Sequence, residues 1–141
     1  MAIGEAKKSS QVFHVIGCVN LLLEEVLRLT SKAPKKFRFS ICKKMDDLAM
    51  KIVGNVYQAD DSFVSGSDKK VVLRNRLSLE LEALSKVKLL GNIARISVEI
   101  QCISKGEYGV LAKLLSDGQN LLRAWYKSDR IRLEKIQTND V

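Results

Sequence analysis

Hydrophobic positions recur at helical spacing along nearly the whole chain. In the first segment Val12, Val15, Ile16, Val19, Leu22, Leu23 and Val26 follow the i, i+3, i+4, i+7 rhythm of one helix face. Ser9 and Ser10 are placed to cap its start, and it must stop before Pro34, which drives the preceding residue out of the α region. The spacing predicts a second helix over residues 36–60, with Phe37, Ile41, Met45, Leu48, Ile52 and Val56 on one stripe. Residues 60–66 (DDSFVSG) read as a loop, and Ser67 or Asp68 is available to cap the next helix. The third predicted helix, over residues 69–104, is the longest. It carries one stripe at Leu73, Leu77, Leu81, Leu84, Gly91, Ala94 and Val98, and a second in its latter half at Leu90, Ile93, Ile100 and Ile103. Lys105 and Gly106 break it. A fourth helix then bears Tyr108, Leu111, Leu115, Gly118, Leu122 and Trp125.

Four long helices with short connections predict an all-α, antiparallel up-down-up-down four-helix bundle. Residues 1–132 form the single domain, and the polar stretch 133–141 is expected to fray. The second stripe of helix three, together with Phe13, Cys18 and Leu21 on helix one, exceeds what a lone bundle must bury. This predicts a homo-oligomer whose interface contains Leu90, Ile93, Ile100 and Ile103. Each helix also holds an interior glycine (Gly17, Gly54, Gly91, Gly118), a costly choice for which close helix approach is the expected compensation.

Composition narrows this picture. The chain has 141 residues, 46% hydrophobic and 28% charged, which suits a globular domain with its own core. One proline and eight glycines argue against a turn-rich β protein. Cys18, Cys42 and Cys102 are odd in number and sit within apolar periodic sequence, the usage of a reducing compartment, so a cytoplasmic location is expected. No run of about 18 apolar residues is present to span a membrane. Lys7 and Lys8 before an apolar stretch faintly imitate a signal peptide, but His14 and Asn20 interrupt it and the helical pattern continues through Glu24 and Arg28.

The chemistry that remains possible is limited. A single histidine, His14, removes most histidine catalysis and a di-iron site built on paired Glu-x-x-His motifs. Asp46 and Asp47 diverge by about 100° on a helix. Glu80 and Glu82 are similarly splayed and read as a solvated face. No Gly-rich phosphate loop occurs. Neither a catalytic residue, a metal site nor a cofactor is expected.

Charge is more informative. Twenty-four Lys and Arg against sixteen Asp and Glu leave +8, with a pI near 9.5. The densest block is Lys35, Lys36, Arg38, Lys43 and Lys44; a second set is Arg74, Lys88 and Arg95, and a third is Arg123, Lys127 and Arg130, with Lys135 beyond. Such residues commonly form an ordinary solvated surface, but their excess favours a polyanionic partner. Phe37, Tyr57, Tyr108 and Trp125 lie on core stripes and are expected to pack rather than stack on bases.

Three segments carry a family resemblance. Residues 33–40 (APKKFRFS) are similar to the "PK..R(F/Y)" opening of helix two in the accessory variability determinant (Avd) family of diversity-generating retroelements. Residues 118–128 (GQNLLRAWYKS) resemble that family's G-x-x-L-(x)-G-W-(x)-K-S ending of helix four, with Ala124 where glycine is common. Residues 86–108 follow its helix-three pattern. The resemblance implies a pentameric barrel of four-helix subunits that binds nucleic acid and partners a reverse transcriptase, whose adenine-mutagenised cDNA diversifies a variable gene. It also implies that the chain is no catalyst. Among the cations within these segments, Lys35, Arg38, Arg95 and Lys127 are the ones the resemblance matches residue by residue. The competing expectation is an oligomeric bundle of the kind encoded by ribosomal RNA intervening sequences, without nucleic-acid affinity. A helical enzyme ranks last.

Overall fold

The computed structural model describes residues 3–62 and 68–139. It contains α1 (Ile3–Lys32), a 3-10 turn (Lys35–Phe37), a π-helical turn (Arg38–Cys42), α2 (Lys43–Asp60), α3 (Lys69–Glu99) and α4 (Lys105–Asn139). No strand occurs among the described residues. The four helices surround one core, α1 packing on α2 and α4, and α3 on the same two. Val15, Val19 and Leu22 of α1, Met45, Ile52 and Val56 of α2, Leu84, Val87 and Leu90 of α3, and Leu111, Leu122 and Trp125 of α4 fill it. Side chains meet at several heights: Thr30 Oγ1 donates to Asp46 Oδ1 at 2.7 Å, Asn20 Nδ2 lies 3.5 Å from Tyr57 Oη, and Gly91 lies against Leu115.

Local chemistry explains most of the boundaries. α1 stops two residues before Pro34, whose ψ of 139° turns the chain. Helix two does not begin as a plain α-helix at Lys36. The Pro34 carbonyl accepts from Phe37 N–H at 3.0 Å, and a π-helical turn follows before α2 starts at Lys43. The loop over residues 60–66 is described only as far as Ser62, and Ser67 lies outside the described residues. Asp68 stands at the N-cap of α3 without a side-chain cap bond.

The end of α3 differs from expectation by five residues. Gln101 adopts φ 64°, the one left-handed non-glycine among the described residues. Around it Cys102 N–H donates to Ser97 O at 2.7 Å and Gln101 N–H to Val98 O at 3.0 Å, the paired bonds of a Schellman ending. Glycine usually marks that position, so glutamine concealed the stop. Gly106 is no breaker and sits in the first turn of α4, which Ser104 and Glu107 cap reciprocally at 2.9 and 3.1 Å. α4 is helical as far as Asn139, with Leu133 and Ile136 half-buried.

Close approach does not account for the glycines. A Cβ on Gly17 or Gly54 would meet nothing within 4 Å, and on Gly91 or Gly118 it would make ordinary contacts at 3.8 and 3.7 Å. Leu81 and Tyr57, expected in the core, are 50% and 42% exposed. Cys42 and Cys102 are buried thiols with sulfurs 3.8 Å apart, while Cys18 is half-buried. Burial, then the neighbouring Cys42, pushes the Cys102 thiol up to about 12, so it stays protonated and behaves as a small apolar group.

Candidate nucleic-acid interface

The first basic block occupies the 3-10 and π-helical turns between α1 and α2 and the start of α2. Lys35, Lys36, Arg38, Lys43 and Lys44 are all exposed. Lys36 Nζ stands 5.1 Å above the Phe37 ring, and Lys43 pairs with Asp47 at 3.6 Å. Among the described residues no carboxylate lies within ion-pair distance of Lys35, Lys36, Arg38 or Lys44. Arg74, Lys88 and Arg95 are exposed along α3, and Arg123, Lys127 and Arg130 along α4. Arg95 bonds Glu99 and Asn92, both at 3.0 Å, and Arg130 lies 3.7 Å from Glu134. Such surface pairs are worth under about 1 kcal/mol and yield readily to a phosphate.

The sets do not converge on one spot. The Cys42–Cys102 contact places the first block beside the end of α3 near Arg95. An ion pair between Arg76 and Asp129 instead brings Arg74 close to Arg130. These two regions are separated by about 30 Å of α3, since each helical residue rises about 1.5 Å. The geometry suits an extended polyanion that several cations follow in succession.

Two of the four interface residues expected on helix three are corrected. Leu90 is 0% and Ile103 5% exposed, both inside the chain's own core. α3 contacts two neighbouring helices, so most of its two apolar stripes is buried, Leu81 and Ile100 excepted. Ile93 packs half-buried against the core, and Ile100 is exposed. Most of the uncovered apolar surface lies elsewhere. Phe13, Gly17, Leu21, Leu114 and Leu121 line a groove of about 560 Å³ between α1 and α4, and Leu81 and Leu89 stand on the outer face of α3.

A buried charge cluster is the feature that periodicity did not reveal. Arg76 Nε donates to Asp129 Oδ2 at 2.8 Å and Arg132 Nη1 to Asp129 Oδ1 at 3.2 Å. The Arg76 guanidinium lies 5.2 Å from the Trp125 ring centroid and also reaches the Ser62 carbonyl at 3.3 Å. Glu80, expected on a solvated face, is 0% exposed, its Oε2 3.6 Å from Arg76 Nε. Burial raises its pKa to about 10, the hydrogen bond and charge of Asp129 adding to the rise. The neutral acid can donate to Asp129. Burial pushes Asp129 upward, but that hydrogen bond and the two arginines outweigh it and hold its carboxyl below the usual range. A signal was present: position 80 falls on the Leu73, Leu77, Leu84 stripe, and position 129 continues Leu122 and Trp125. The two acids are sealed from solvent, while the Arg76 and Arg132 side chains keep 11% and 25% exposure.

Among the described residues no group of three metal-ligating side chains forms, and no helix is long and apolar enough to cross a membrane. No family model, curated protein or solved structure matches the chain.

Proposed function

We propose that this chain is a non-catalytic, nucleic-acid-binding accessory protein of a diversity-generating retroelement, acting with a reverse transcriptase and its template RNA or cDNA in the cytoplasm. The observation that carries the binding reading is the exposure of all eleven expected cations, four of the five in the densest block lying beyond ion-pair distance of any described carboxylate. The retroelement context rests on the likeness of residues 33–40, 86–108 and 118–128 to the Avd family. An up-down-up-down order of the helices is supported by the pairings of Thr30 with Asp46, Asn20 with Tyr57, Gly91 with Leu115, and Arg76 with Asp129.

Phosphate contacts release counterions, so affinity for structured RNA and duplex DNA should fall steeply as salt rises. Neutralising Arg38, Arg95 and Lys127 together should weaken binding and reduce the slope of log affinity against log salt by up to about 3, at roughly 0.9 for each phosphate-bound cation removed. Helicity should not change, because all three side chains are exposed. Fluorescence anisotropy at two salt concentrations measures both affinity and slope, and circular dichroism the helicity. Absence of binding even at low salt would leave a structural bundle of the intervening-sequence type.

Self-association belongs to the same proposal. The α1/α4 groove and the α3 face are two unlike apolar patches on one subunit, which suits head-to-tail contacts that close into a ring. The resemblance points to five copies. Changing Phe13 and Leu21 to aspartate should lower the mass seen by light scattering, and a wild-type monomer at micromolar concentration would refute the ring.

A further inference from the structure

Residues 26–45 contain seven Lys or Arg and no acid, the most one-sided stretch in the chain. Within it stands an aromatic ring with no packing role. Phe39 is 85% exposed, more than any other large hydrophobic side chain described. Its neighbours behave otherwise. Phe37 and Ile41 pack against the core, and Lys36 covers the Phe37 ring.

Position along the helix explains the difference: Phe39, two residues from Phe37, falls about 200° away from it and so on the outer side. The apolar rhythm from Phe37 through Ile41 to Met45 is that of one core-facing stripe. Between Arg38 and Cys42 the helix widens into a π-helical turn, which holds more residues per turn than an α-helix. Phe37 and Ile41 keep their inward direction, while Arg38, Phe39 and Ser40 are all exposed. Such bulges occur frequently at functional sites.

We propose that Phe39, displayed by this turn among Lys35, Lys36, Arg38, Lys43 and Lys44, is a base-stacking platform for single-stranded nucleic acid. The inference rests on the nucleic-acid reading above and names the substrate class of its densest basic block. An aromatic face set within a positive track is the arrangement by which proteins hold single strands: cations follow the phosphates while a ring accepts an unstacked base. Paired bases inside a duplex offer no free face to a side chain, so the ring distinguishes single from double strands. A protein partner fits this surface less well, because lysine is depleted from the cores of protein interfaces. A lipid surface would need a broad apolar helix face, whereas here a single apolar side chain projects.

The test compares a fluorescein-labelled oligothymidylate with a blunt duplex at low salt, using wild-type protein, Phe39→Ala and Phe39→Trp. Phe39→Ala should weaken single-strand binding roughly fivefold to a hundredfold and leave duplex binding unchanged. Phe39→Trp should restore single-strand affinity. The indole it adds should be quenched as an unlabelled oligothymidylate stacks on it, against the steady emission of the buried Trp125. Three results overturn the proposal: equal single-strand affinity of Phe39→Ala and wild type, equal losses on both ligands, or no quenching in Phe39→Trp at saturation. The first of these would leave the exposed ring to a protein partner. If the wild type binds neither ligand, the nucleic-acid reading itself fails, a result distinct from the other three.

Discussion

Arg76→Leu is expected to lower the free energy of unfolding by about 3–5 kcal/mol. Asp129 is 2% exposed and is held ionised by Glu80, Arg76 and Arg132. Removing Arg76 strips away its 2.8 Å partner and leaves a buried carboxylate with Arg132, at 3.2 Å, as its one cationic partner. It also frees the Ser62 carbonyl and uncovers the Trp125 ring. A leucine fills most of the volume, so the loss measures charge rather than a cavity. Changing Asp129 to leucine as well removes the stranded charge, and the double variant should be more stable than Arg76→Leu alone. Urea denaturation followed by circular dichroism, at one protein concentration, provides the comparison. A cost below about 1 kcal/mol for Arg76→Leu would show that the pair behaves like an exposed one.

The second large effect is on pH. Glu80 is neutral in the fold, where its pKa is raised to about 10, but in the unfolded chain it ionises near its ordinary value of 4.5. Across that window unfolding releases a proton, so the unfolded state binds fewer protons and stability falls as pH rises. The expected slope is on the order of 1 kcal/mol per pH unit. Asp129 acts in the opposite sense. Its lowered pKa contributes stability that is present above the usual 3.8 and lost as pH falls through its folded value. The fold should therefore be most stable in weakly acidic solution. Glu80→Gln keeps a donor toward Asp129 and removes the titrating proton. It should match the wild type near pH 5, exceed it at pH 8, and show a flatter dependence between the two. Parallel pH profiles for the two proteins would mean that Glu80 is ionised in the fold.

How far these features were legible depends on the range of the physics behind them. The helical rhythm of apolar residues is a local property, so spacing alone assigned Val15, Leu22, Met45, Ile52, Leu84, Leu111 and Trp125 to buried faces. Pro34 acts on its immediate neighbours, and it ended helix one as expected. Cations on exposed azimuths needed no knowledge of neighbouring helices either, which is why every expected binding residue proved accessible. How those residues lie relative to one another, about 30 Å of α3 separating Arg74 from Arg95, follows from the length of that helix.

Other features depended on contacts far apart in the chain. Glu80 reads as a solvated acid until Asp129 on α4 and Arg76 enclose it. Leu90 and Ile103 read as surplus surface because a single helix cannot reveal that it will be covered from two sides. Gln101 could be recognised as a helix stop only through the Schellman bonds that form around it. Periodicity determined which residues could face inward. The neighbours that α3 and α4 acquired decided which acids were buried, and desolvation by those neighbours then set their charge.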